Sequence, residues 1–219
     1  GTLTIGISVE YTVNPLLSIR IPVEAFFNFN QTSDWHLYLG RYDDPIHAKI
    51  LEVFEGPGYL MLSGNGIPAH GGLPAVTGFA IATGLHVSIV WGSTSIGLYL
   101  KVSAGFDAVV GTDPFRLAGI LYIRGNLHLF IIDIGAYAQL KVDIGEDAQR
   151  NKICRIEGEI CGKIDFFFFT IEGCVDFVIG ENAVPVPDPP ALARAMKLVS
   201  RTPALVVGTG VDKPIDGGI

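Results

Sequence analysis

Gly135-Ala-Tyr-Ala-Gln-Leu-Lys-Val-Asp-Ile-Gly145 decides the fold class. Ala136, Ala138, Leu140, Val142 and Ile144 face one way, and Tyr137, Gln139, Lys141 and Asp143 face the other. Side chains alternate in this way along a strand, not along a helix. The same period extends outward in both directions. Upstream, Gly97-Leu-Tyr-Leu-Lys-Val-Ser-Ala-Gly-Phe106 aligns Leu98, Leu100, Val102, Ala104 and Phe106. Downstream, the segment from Cys154 to Gly180 puts Ile156, Gly158, Ile160, Gly162 and Ile164 on one face and returns through Ile171, Gly173, Val175, Phe177 and Ile179. Three hairpins result, near 84–110, 119–145 and 154–180, the later two spaced by roughly 35 residues, a period at which internal repeats are expected. An ordinary meander explains the same pattern.

The expected fold is therefore all-β: an antiparallel sheet built from repeated hairpins, apolar on one side and wet on the other. A sandwich, a closed barrel and an open extended sheet all fit that pattern. Residues 1–183 form the β domain, opened by strand candidates at 2–13, 23–30 and 35–40. Residues 48–54 suit a strand or a short helix, Glu55-Gly-Pro-Gly58 reads as a turn, and 67–78 as a connecting loop. Residues 184–219 comprise a Pro-rich strap, one short C-terminal helix over 191–199 opened by Pro190, and a terminal strand over 204–207. The chain starts within an alternating segment and stops at Asp216-Gly-Gly-Ile219, which reads as a piece of something longer.

Composition narrows the partners. In 219 residues, 15 Lys and Arg stand against 22 Asp and Glu, a net charge of -7, so a polyanion such as nucleic acid is excluded as a partner. Hydrophobic residues make up 49%, with a mean hydropathy of +0.43, so much apolar surface needs cover. No run reaches the roughly 18 uninterrupted apolar residues of a spanning helix. Against a transmembrane barrel stand the lack of an even succession of alternating segments and the crowding of Glu157, Glu159 and Asp165 on one strand. No basic start with a small-residue cleavage site marks a signal peptide, and the compartment is left open.

Several strings carry a family resemblance: Ser33-Asp-Trp-His-Leu-Tyr-Leu-Gly40, Gly58-Tyr-Leu-Met61, Gly162-Lys-Ile-Asp-Phe-Phe-Phe-Phe169, Leu198-Val-Ser-Arg-Thr-Pro-Ala-Leu205 and Gly208-Thr-Gly-Val-Asp212. They resemble segments of very large, β-rich bacterial proteins known only by a domain of unknown function. The resemblance spans most of the chain and implies a piece of a larger bacterial protein. It brings no activity, cofactor or site with it.

The cysteines are the sharpest local signal. A hairpin centred on Phe167 and Phe168 sets Cys161 opposite Cys174, close enough for a disulfide in an oxidising compartment. Three reduced thiols are the alternative in a reducing one. Cys154 has the parity of Ile156 and is expected to be free and buried. The same register opposes Glu159 and Asp176, an unfavourable pair unless a cation intervenes. His86, His128 and Cys161 occupy similar repeat positions, but no close ligand pair accompanies them, so no metal is expected. There is no G-x-S-x-G, Asp43-Asp44-Pro45 is a turn, and Gly208-Thr-Gly210 lacks the rest of a phosphate loop, so no enzyme and no cofactor are expected.

Two surfaces remain as candidate sites. Phe166, Phe167, Phe168 and Phe169 form an apolar hairpin tip suited either to burial under the strap or to contact with a partner. Leu117, Leu121, Ile123 and Leu127, spaced by glycines, either pack against a second sheet or line a groove. The expected function is a non-enzymatic structural or protein-interaction module, associating with itself or with neighbouring domains. A hydrophobic-ligand module that holds or conducts lipid on the apolar face is the alternative.

Overall fold

Period-two alternation carries the chain into one eleven-stranded antiparallel sheet, seen in a computed structural model that describes residues 1–180 except Pro15, Glu52 and Phe167. The strands are β1 (Thr2–Val13), β2 (Leu17–Asn28), β3 (Trp35–Leu39), β4 (Ile46–Ile50), β5 (Phe54–Ser63), β6 (Ala80–Ser93), β7 (Leu98–Thr112), β8 (Phe115–Leu129), β9 (Ile132–Glu146), β10 (Lys152–Phe166) and β11 (Phe169–Gly180). The strap, the helix over 191–199 and the strand over 204–207 lie outside the described residues.

Each strand pairs with its sequence neighbour, so the sheet is a meander. β3 and β4 are the exception, lying end to end between β2 and β5, so eleven strands fill the ten positions of the path. The break between them explains Pro22 inside β2. Its carbonyl accepts the Gly40 amide at 2.7 Å across the interruption, where no ladder demands the missing proline N–H. A second correction concerns Glu55-Gly-Pro-Gly58. Expected as a turn, it continues β5, and β6 pairs with Glu55 and Gly58 but skips Gly56 and Pro57.

All strands share the one sheet, so the two-sheet sandwich is not the arrangement of the described residues. β1 and β11 are its edges, and no pairing joins them among the described residues. Both sequence arguments against a barrel lose their force. Alternating strands succeed one another without a gap, and Glu157, Glu159 and Asp165 all lie on the polar face.

The core is not where the alternation put it. The apolar face has no packing layer among the described residues, and the buried cluster forms instead on the opposite face. There Tyr59, Met61, Ala80, Ala82, Val109, Ala118 and Ile120 receive Ile67, Leu73 and Val76 from the 64–79 loop. The physical reason is local. Near the start of β6 and the end of β7 both faces turn apolar, and small Ala80 and Ala82 leave room for the loop to fold back. Two bridges, Ile67 to Val76 and His70 to Leu73, shape that loop into a small hairpin of its own.

Candidate functional site

The register aligns the apolar face across every position of the sheet. One row reads Leu85, Phe106, Leu121, Leu140, Gly158 and Phe177, and the next Val87, Ala104, Ile123, Ala138, Ile160 and Val175. β1 continues the surface with Leu3, Ile5, Ile7, Val9, Tyr11 and Val13, all exposed. In mid-sheet Leu85 is 48% exposed, Leu121 55% and Ile123 53%. Isolated exposed leucines are ordinary, but a continuous apolar surface spanning a sheet is not.

The four residues expected to form one groove are distributed over this face. Leu121 and Ile123 line a shallow depression of about 410 Å³ with Ala104, Ala138, Leu140 and Ile160. Leu117 and Leu127 sit in rows to either side, paired with Ile144 and Ile134 of β9. The depression exists because Ala104 and Ala138 are small and Phe177 folds over Gly158, where a Cβ would strike its ring.

The polar face carries a hydrogen-bonded chain across four strands. The Tyr59 hydroxyl donates to Asp107 Oδ1 at 2.9 Å, His86 Nε2 lies 3.1 Å from the same oxygen, and His86 Nδ1 lies 2.9 Å from the Tyr122 hydroxyl. Each long reach passes over a glycine. Tyr59 meets Asp107 above Gly84, and His86 meets Tyr122 above Gly105. Asp107 is buried, and carboxylates are rarely buried without partners. Burial, reinforced by the Asp107 hydrogen bond, pushes the Tyr59 hydroxyl well above the ordinary phenol range. Burial, then the Asp107 charge, pushes Tyr122 upward too. Both shifts favour the protonated phenol, which suits hydrogen bonding that braces the sheet. The polar belt continues with the Arg124 guanidinium 5.1 Å from the centre of the Tyr137 ring and with Arg116 bonded to Asp143 at 3.0 and 2.7 Å.

Cys161 and Cys174 are bridged, with Cα atoms 4.1 Å apart on the polar face. Cys154 is free but exposed, because the face it shares with Ile156 has no cover among the described residues. Glu159 does oppose Asp176, and a Glu159 oxygen lies 3.6 Å from Cys161 Sγ, whose bonding capacity the bridge already occupies. The His86, His128 and Cys161 stack is not assembled. His86 belongs to the Asp107 chain, and His128 pairs with Asp133 near the far end of β8. Reducing the bridge, which closes a sequence separation of 13, is expected to lower stability by about 3 kcal/mol. Urea unfolding with and without a dithiol, in a Cys154→Ser background, measures it; coincident curves would leave the bridge without a stabilising role.

The hairpin turns divide by end. At the tip end lie residues 14–16, 51–53, 94–97, 130–131 and 167–168, and at the loop end 29–34, 64–79, 113–114 and 147–151. Of the Phe cluster, Phe166 and Phe169 pair on the apolar face with ring centroids 4.6 Å apart, and Phe168, at the turn, is 89% exposed. Phe167 is outside the described residues. Sequence reading missed the Asp107 chain because its members are up to 63 residues apart, from Tyr59 to Tyr122, and only the register joins them. Glycines at positions 84 and 105, on the polar face of adjacent strands, were its one available signal.

No family model, curated protein or solved structure matches this chain.

Proposed function

We propose that this chain is a non-enzymatic structural β wall whose apolar face sits in lipid and whose polar face is turned to water. The observation that carries the reading is the apolar face itself, in register over all ten positions and half exposed at its centre. Burial of apolar surface is worth about 25 cal/mol per Å², so a surface of this extent strongly favours a nonpolar environment. Lipid suits it for a second reason. From β6 to β11 neighbouring strands pair residue by residue without a lapse, which is the condition for a β structure in hydrocarbon. Strands of 15 residues rise about 50 Å at 3.3 Å per residue, enough to cross a hydrocarbon layer when tilted.

The sheet edges support a protein partner as well. An even number of positions makes β1 and β11 run in opposite directions, so a neighbouring copy or domain adds antiparallel strands there without inverting either face. Such an addition extends the same wall within a larger assembly.

The test is flotation with phosphatidylcholine vesicles. Wild-type chain is expected to rise with the vesicles. Ile123→Arg, on the apolar face, is expected to lower partitioning at least tenfold, since Arg on a lipid-facing strand costs about 2–4 kcal/mol at mid-depth. Gln139→Arg, on the polar face of the adjacent strand, is expected to leave it unchanged. Equal partitioning of the two variants, both folded by circular dichroism, would overturn the reading.

A further inference from the structure

We infer that the tip end of the sheet lies in the lipid hydrocarbon while the loop end stays in water, so that the sheet enters a bilayer tip end first. This rests on the lipid reading of the apolar face and goes beyond it, because that face alone does not orient the strands. Turns at both ends of a spanning barrel ordinarily sit in water or among headgroups. Here the two ends differ in kind.

At the tip end the turns carry Leu16, Leu51, Val53, Ile96, Phe130 and Ile131, all exposed. Ile96 is 61% exposed, Phe130 67% and Ile131 68%. Glu52 is the one charged residue in these turn sequences. Neighbouring tips are also tied together, with the Leu51 amide donating to the Leu16 carbonyl at 2.9 Å and the Phe130 amide to the Gly97 carbonyl at 2.7 Å. The result is an apolar rim continuous with the apolar face. At the loop end exposed Phe29 and Phe79 stand among Asp34, Asp113, Asp147, Gln149, Arg150 and Asn151, so the ends differ chiefly in charge. Arg150 and Asp113 meet across two of those turns at 2.9 Å, with both side chains largely exposed.

Two further observations point to hydrocarbon. Leu51 and Phe130 adopt φ of 53° and 54°, a left-handed conformation that favours Gly, Asn or Asp and disfavours a bulky apolar side chain. Turn formation alone selects against these two residues, so something apolar outside the turn accounts for them. At the loop end the same conformation falls to Arg150, a charged residue. Two polar clusters just behind the rim are matched internally. His128 pairs with Asp133, and Asp165 accepts from both Lys163 and Thr170. Pairing of this kind is what polar side chains require at membrane depth.

The experiment places the environment-sensitive dye NBD on single cysteines, Ile96→Cys at the rim, Ile123→Cys on the face and Gln149→Cys at the loop end, in a Cys154→Ser background. With phosphatidylcholine vesicles, the dye at 96 is expected to shift to the blue and to be quenched by spin labels at the acyl-chain terminus. The dye at 149 is expected to stay accessible to aqueous iodide. A blue shift at 123 with an aqueous signal at 96 would overturn the tip-first inference and leave the lipid-facing wall standing. An aqueous signal at 123 as well would overturn both. As a second variant, Phe130→Asp with Ile131→Asp is expected to reduce insertion at least tenfold while leaving the strand signal in circular dichroism intact. Unchanged insertion of that variant would also overturn the inference.

Discussion

Gly84→Val is expected to destabilise the sheet by about 3 kcal/mol, from overpacking at 1–3 kcal/mol together with stranded polar groups at a similar magnitude. A Cβ at position 84 would overlap Asp107 Oδ1 and the Tyr59 ring. Neither side chain has room to yield, since Tyr59 and Asp107 are both buried and joined by a 2.9 Å hydrogen bond. Separating them leaves a carboxylate and a phenol without partners in a dry place. Gly173→Val supplies the contrast. A Cβ there meets nothing within 4 Å, and valine suits a strand better than glycine, so its stability is expected to match or exceed wild type. Chemical denaturation followed by circular dichroism compares the two. Equal midpoints would mean that the Tyr59, Asp107, His86 and Tyr122 chain does not brace the sheet.

That contrast shows what the sequence holds and what it withholds. Alternation over 84–180 is sufficient for the six long strands, because period two is a local property and each strand contains several repeats of it. Segments where local signals compete are harder to read. Pro22 and Gly56-Pro57 look like breaks, yet both lie within strands, the first facing the gap between β3 and β4 and the second where the β6 ladder lapses. The face that would be covered was also misjudged. Alternation identifies an apolar side but not its neighbour, and in water the default is a protein core. The stretches apolar on both faces, Ala80-Ile-Ala82 and Ala108-Val-Val110, hold the better signal, since they mark where the 64–79 loop turns an otherwise polar side into a core. The candidate site is least legible of all. Tyr59, His86, Asp107 and Tyr122 come from four strands, and no spacing rule joins them before the register is known.

Ile67→Ala is expected to release the 64–79 loop from the polar face. Ile67 is 1% exposed, and truncating a buried isoleucine costs about 2–5 kcal/mol. The loop is held chiefly by Ile67, Leu73 and Val76 against the sheet, while its own backbone bonds join it mainly to itself. The loss therefore falls on docking of the loop more than on the sheet ladder, and opening of this local kind exposes a segment without global unfolding. Limited proteolysis within residues 68–75 reads it directly. A docking loss of about 2 kcal/mol corresponds to cleavage faster by more than tenfold. Ala75→Glu changes an exposed position in the same loop and is expected to leave cleavage near the wild-type rate. Hydrogen exchange at the tip-end halves of β9 and β10, away from the stretch of those strands that lies beside Leu73, is expected to stay slow in both variants. If Ile67→Ala instead accelerates exchange throughout the sheet, the loop is part of the folding core and not a cover over it. If cleavage does not change, Leu73, Val76 and the bonds from the Thr112 and Asp113 amides to the Thr77 carbonyl suffice to hold the loop down. Only the first result makes the loop a removable obstruction above Tyr59 and Asp107, and hence the element that governs how much of the polar face water can reach.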